Sequence, residues 1–125
     1  MESLSNAYSQ VRVPVGDRCS RVDAGGDCVL YQPALVELFT RPEAFHLKRV
    51  QVAGFVSLQF ERNVLCLSEH AASSECLWLD IDGVEDPGFR EGRVLVAGTF
   101  DGENRGHFGG YAGALRSITR LQKVR

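Results

Sequence analysis

The chain has 125 residues, 44% of them hydrophobic and 24% charged, with a formal net charge of -2 and a pI near 5.9. That length fits a single domain able to bury roughly two-thirds of its unfolded surface, and the composition is that of an ordinary globular, soluble protein. It gives no overall pull toward a polyanion such as nucleic acid, and no apolar run reaches the ~20 residues of a membrane helix.

Residues 1–32 read as an N-terminal extension. "MESLSNAYSQ" has neither a basic n-region nor an apolar h-region. As written, that predicts a cytoplasmic protein, or a periplasmic one if a leader has been removed. "QVRVPVG" alternates like a short edge strand, with Pro14 limiting its pairing. "DRCSRVDAGGDC" is polar and glycine-bearing and reads as a loop.

Residues 33–125 read as the folded domain. Pro33 suits the first position of a helix whose apolar stripe is Leu35, Val36, Leu38 and Phe39. Pro42 ends or kinks that helix, and "PEAF" adds one turn that points Phe45 and Leu47 inward. His46 follows the turn and is expected to be exposed. Val50, Val52, Gly54, Val56, Leu58 and Phe60 then fall on one face of a long strand, with Arg49, Gln51, Ala53, Phe55, Ser57 and Gln59 on the other. Strands usually run ~5–6 residues, so this one is expected to bend at its central glycine. "ERN" turns the chain into a second strand, "VLCLS", and "EHAASSE" links it to a third, "CLWLDID". "GVEDPGFREG" reads as loop or a brief helical turn. "RVLVAGTF" is a fourth strand, uniformly apolar and therefore central, and "DGENRGHFGGYAG" is a glycine-dense loop. In the closing "ALRSITRLQKV", apolar residues recur every three positions, which fits neither period. The β-branched Ile118 and Thr119 favour a strand bulged near Ser117 over a short helix.

"VQVAGFV" at Val50–Val56 and "VLVAGTF" at Val94–Phe100 are nearly the same word. The sequences after them do not match, so duplication is not the reason. Closing a small sheet on itself requires strong coiling, and a strand coils sharply where a residue lacks Cβ. Gly54 and Gly98 are the expected points. The predicted fold is mainly β: an OB-like five-stranded antiparallel Greek-key barrel with one N-terminal helix packed on it.

The stretches "LFTRPEAFHLKRVQVAGFV", "NVLCLSEHAASSECLWLDI" and "VLVAGTFDGENRGHFGGYAGALRSITRL" resemble a group of small bacterial proteins of unknown function. The shared features are a helix with Pro-Glu, a Val-x-Val-x-Gly strand, an aromatic-leucine-tryptophan hairpin and a Gly-Thr-Phe…Gly-His…Gly ending. The likeness covers about residues 35–122. It implies the OB-like barrel and carries no chemistry with it.

Four cysteines form no C-x-x-C pair, which argues against a zinc ribbon or a thioredoxin-type site. Without an export signal the default is four reduced, mostly buried thiols, while sequence proximity permits the disulfides Cys19–Cys28 and Cys66–Cys76. Cys66, His70 and Cys76 supply three metal ligands where structural zinc takes four, so neither metal nor cofactor is expected. Asp80 and Asp82 lie two apart on the expected third strand, hence on one face about 7 Å apart beside Trp78. A solvated strand side accounts for them. No nucleophile elbow, Walker loop or His-Glu-x-x-His occurs, so no catalytic constellation can be assembled and the chain leans away from an enzyme. The candidate ligand-binding residues are Phe55, Trp78, Arg105, His107, Phe108 and Tyr111, since the glycines of "NRGHFGGYAG" let backbone amides approach a ligand. The expected function is a non-catalytic binding module for a protein, peptide or glycan. Single-stranded nucleic acid is the alternative, disfavoured by Glu69, Glu75, Asp80 and Asp82 near the face that should be basic.

Overall fold

A computed structural model describes residues 18–106 and 109–124. The expected edge strand at "QVRVPVG" lies outside them. The elements in order are β1 (Cys19–Val22), β2 (Cys28–Tyr31), α1 (Leu35–Thr40), α2 (Pro42–Phe45), β3 (Arg49–Gln59), β4 (Arg62–Cys66), a 3-10 turn (Ser73–Glu75), β5 (Cys76–Leu79), β6 (Glu91–Asp101) and β7 (Ala114–Lys123). The chain is mainly β, and its described strands form one mixed sheet of seven strands.

The segment expected to be a loop is a hairpin: β1 and β2 pair antiparallel, with Asp23 Oδ1 accepting from the amides of Gly25 and Asp27 to hold the turn. Each strand has only four residues, too few for alternation to show. β2 then adds in parallel to β3 at Tyr31 and Val50, so the described part of the extension belongs to the sheet.

Two short helices replace the single one expected. Pro33 is buried but lies ahead of α1, which is capped instead by Glu37, whose carboxylate accepts the Ala34 amide 3.0 Å away. Burial works against that charge, but the Ala34 amide and the Arg18 guanidinium outweigh it and hold the Glu37 carboxyl below its ordinary range. Pro42 starts α2, where its missing N–H costs nothing. Leu35, Leu38 and Phe45 enter the core, and the Phe45 ring meets Tyr31 edge-on at 6.0 Å. Leu47 does not point inward. It is 51% exposed with a φ of 63°, and this left-handed residue turns the chain from α2 into β3.

In β3 the alternation holds for Val50, Val52, Val56 and Leu58, all buried. It fails at Phe60, 93% exposed, because the strand ends at Gln59 and Glu61 turns with a φ of 59°. β6 pairs with β3 on one side and β7 on the other, the central place its apolar run implies. β5 stops at Leu79, short of Asp80 and Asp82. Both carboxylates are exposed, and the Asp80 side chain accepts the Asp82 amide at 3.1 Å in a turn.

The C-terminal segment is a strand, and Ser117 carries a φ of 50° where the β6–β7 register shifts between Ala97 and Thr99. Pairings run β3–β4, β4–β5, β5–β7, β7–β6 and β6–β3, so a path along the sheet returns to its starting strand. The β5–β7 link is parallel, as is β2–β3, whereas the expected sheet was wholly antiparallel.

Both glycines of the repeated word sit where a side chain would collide. A Cβ on Gly54 would lie 3.0 Å from the Cys66 carbonyl oxygen and 3.0 Å from Leu35 Cδ2, and one on Gly98 2.9 Å from the Arg116 carbonyl oxygen. Gly54 thus lets α1 and β4 close onto β3, and Gly98 leaves room for the bulge in β7.

Candidate functional site

The structure does not gather the four described candidate residues, Phe55, Trp78, Arg105 and Tyr111, into one site. Trp78 and Tyr111 pack against each other, with ring centroids 5.4 Å apart and planes inclined at 53°. Both belong to a small cluster with Val64, Cys66 and Cys76. Tyr111 is only 7% exposed, so its ring serves as a cover over β4 and β5 and not as a free stacking surface. The glycine loop is laid down on it. Tyr111 donates its amide to Arg105 O and Ala112 donates to Cys76 O, each at 3.0 Å. Gly106, at a φ of 73°, approaches so closely that a Cβ would stand 2.7 Å from Tyr111 Cδ2 and 2.8 Å from Trp78 Cβ. That glycine therefore serves a left-handed turn and a close approach at once. Arg105 is exposed. His107 and Phe108 lie outside the described residues.

The start of the same loop is held from below by His46, which is 8% exposed and so contradicts the expected solvated position. Its Nδ1 accepts the Gly102 amide at 3.0 Å, which places the proton on Nε2, 3.3 Å from a Glu103 carboxylate oxygen. Asp101 Oδ1 accepts the amides of Glu103 and Asn104.

All four cysteines are paired, Cys19 with Cys28 and Cys66 with Cys76, and no thiol is left free. The default expectation of reduced cysteines is overturned. Each pair spans one hairpin, and Cys66 and Cys76 are direct cross-strand partners, so pairing the strands brings the sulfurs together. A disulfide sulfur is no thiolate ligand, so the Cys66, His70, Cys76 triplet has no metal-binding form while the bond stands.

Phe55 occupies different ground. It is half-buried on β3, with the Arg93 guanidinium 4.8 Å above its ring. It lines an open cleft of about 550 Å³ together with Ser57, Gln59, Arg62, Glu69, His70 and Glu91. The far wall is the β4–β5 connection, which the Cys66–Cys76 disulfide closes at its base. Sequence reading names His70 as a metal-ligand candidate and Glu69 as a charge unfavourable to nucleic acid, but joins neither to Phe55, because "EHAASSE" has the pattern of a plain link between strands, and it does not single out Arg62 or Glu91. The register of the β3–β4 hairpin, which puts Phe55 opposite Cys66, is the signal that could find them. A second groove of about 410 Å³ lies at the same C-terminal end of β3, sharing Gln59 with the first, between Phe60, Ile81, Val84, Pro87 and Arg90. There Asp86 and Arg90 form a two-point pair at 3.0 Å. Arg90 and the Gly88 amide hold the Asp86 carboxyl down at about 2.

Neither a family model, nor a curated protein, nor a solved structure matches this chain.

Proposed function

We propose that the protein is a non-catalytic binding module that takes a peptide or glycan segment in the cleft floored by Phe55. The observation that carries this reading is the cleft's composition. An aromatic ring lies beside two carboxylates, a guanidinium, an imidazole and the side chains of Ser57 and Gln59, all on strands or on a loop held by a disulfide. Ligand sites are commonly concave, with an apolar floor and a few polar groups that fix orientation. Mixed charge at the rim suits a polar ligand with both donors and acceptors.

The circuit of pairings from β3 back to β3 supports an OB-like barrel as the scaffold, with β1, β2 and the two helices as additions to it. The likeness to small bacterial proteins of unknown function belongs to the same proposal. Two disulfides support residence in an oxidising compartment. Single-stranded nucleic acid is the alternative, and it is the weaker one. The outer side of β4 and β5, where such barrels stack bases, is covered here by Tyr111 and the loop that carries it.

The test is capture of ligands from a cell-envelope extract on immobilised wild-type protein and on the Phe55→Ala and His70→Ala variants. A species retained by wild type and lost from both variants, with folding intact by circular dichroism, supports the cleft. Equal retention by all three proteins contradicts it.

A further inference from the structure

We propose that the outer face of β3, β6 and β7 is a docking surface for a linear anionic polysaccharide. The register puts Arg49, Gln51, Ala53 and Phe55 of β3 opposite Thr99, Ala97, Leu95 and Arg93 of β6. It then puts Arg116, Arg120 and Gln122 of β7 opposite Thr99, Ala97 and Leu95. These residues share one face of the sheet. Four arginines thus lie along it, spread over roughly 20 Å from the Arg49 row to the Arg93 row at ~3.3 Å per residue.

Carboxylates are scarce there among the described residues. Arg116 lies 3.8 Å from Asp101, and Glu91 stands opposite Ser57 at the far end. Arg49 instead donates to Ser117 O and Thr119 Oγ1, both at 2.6 Å. Arg120 donates to Gln51 Oε1 at 3.0 Å and Gln122 Oε1 at 2.9 Å, and Arg93 rests on Phe55. Each of these three is held across the sheet by neutral groups, which leave its charge uncompensated.

Drawing like charges together costs free energy that an anion lying among them would offset. A chain with net charge -2 that collects four cations on one face has separated its charge, and the complementary partner is anionic. Guanidinium forks match carboxylate and sulfate oxygens. The exposed Ala53 and half-buried Leu95 leave the middle of the face low between its charged ends, room for an extended chain to lie flat. Both disulfides suit an oxidising setting, which favours an extracytoplasmic polyanion such as an anionic polysaccharide over cytosolic nucleic acid.

The face adjoins the cleft and shares Phe55 with it, but none of its four arginines lines the cleft, so the arginine substitutions test the face by itself. Binding to heparin and to alginate is measured by titration at several salt concentrations, with a 20-mer oligothymidylate and phosphatidylglycerol vesicles as comparison ligands. The expected result is binding to both polysaccharides that weakens steadily as salt rises. Arg93→Glu and Arg120→Glu should each lower affinity at least tenfold, and the milder Arg120→Gln about threefold. Arg21→Glu, the same charge change on β1, should cost less than twofold. Absence of polysaccharide binding, or equal losses from Arg21→Glu and Arg120→Glu, overturns the proposal. Tighter binding of oligothymidylate or vesicles with the same variant pattern also overturns it and assigns the face to that partner.

Discussion

Glycines mark where this chain lets backbones meet. Gly98 faces the Arg116 carbonyl oxygen, a backbone atom that cannot swing aside, whereas nothing lies within 4 Å of a Cβ built on Gly110. Gly98→Val should therefore cost about 3 kcal/mol through overpacking, and Gly110→Ala should stay within about 0.5 kcal/mol of wild type. Urea melts followed by circular dichroism check both, and equal midpoints would remove the steric account. The repeated word singles out Gly54 and Gly98 from the amino-acid sequence alone. Gly106 stands there as one glycine among many, because its constraint comes from Trp78 and Tyr111, of which Trp78 is distant in sequence. His46 is hidden for a like reason: its partners Gly102 and Glu103 lie across the fold.

Charge at single residues gives a pH prediction. The folded Asp86 carboxyl sits at about 2 because Arg90 and the Gly88 amide favour its ionised form, against ~3.9 in an unfolded chain. A depressed folded value means the contribution is full above pH ~4 and is lost as pH falls toward 2. Both side chains are exposed, so the effect is small. Asp86→Asn should be slightly less stable than wild type at pH 6, and the gap should close by pH 2. A gap that widens on acidification would contradict the assignment.

At the scale of elements, the disulfides staple two hairpins. Cys66 and Cys76 close a short loop that also walls the cleft. Removing a crosslink of that span should cost about 3 kcal/mol in the chain-entropy account. Cys66→Ala with Cys76→Ala should accordingly melt earlier than wild type and hold cleft ligands more weakly. An unchanged melt would mean the β4–β5 pairing needs no staple. Long strands announce themselves by alternation: β3 is legible nearly to its last residue, and β7 is recognisable by its β-branched pair despite the bulge. The β1–β2 hairpin is not, since four-residue strands around a glycine turn look like loop. Parallel contacts such as Trp78 with Ala114 join segments far apart in sequence, and local patterns carry no trace of them.

For the molecule as a whole, net composition conceals more than it reveals. A charge of -2 suggests indifference to polyanions, yet strand register gathers Arg49, Arg93, Arg116 and Arg120 onto one side. In sequence, the aromatics of the glycine loop have the look of a ligand platform. Folding turns Tyr111 inward, because an apolar surface over β4 and β5 is better covered than left in water.

The OB-like scaffold proposed above depends on the sheet meeting itself, and the β5–β7 contact is where that happens. Trp78 donates its amide to Gly113 O and Asp80 donates to Leu115 O, both at 2.9 Å. Amide hydrogen exchange by NMR reads these bonds directly. If the circuit is closed, Trp78 and Asp80 should be protected to within about tenfold of Phe100, whose amide donates to Lys48 O. Rapid, unprotected exchange at Trp78 and Asp80 beside a slow Phe100 would show an open sheet and contradict the closed scaffold.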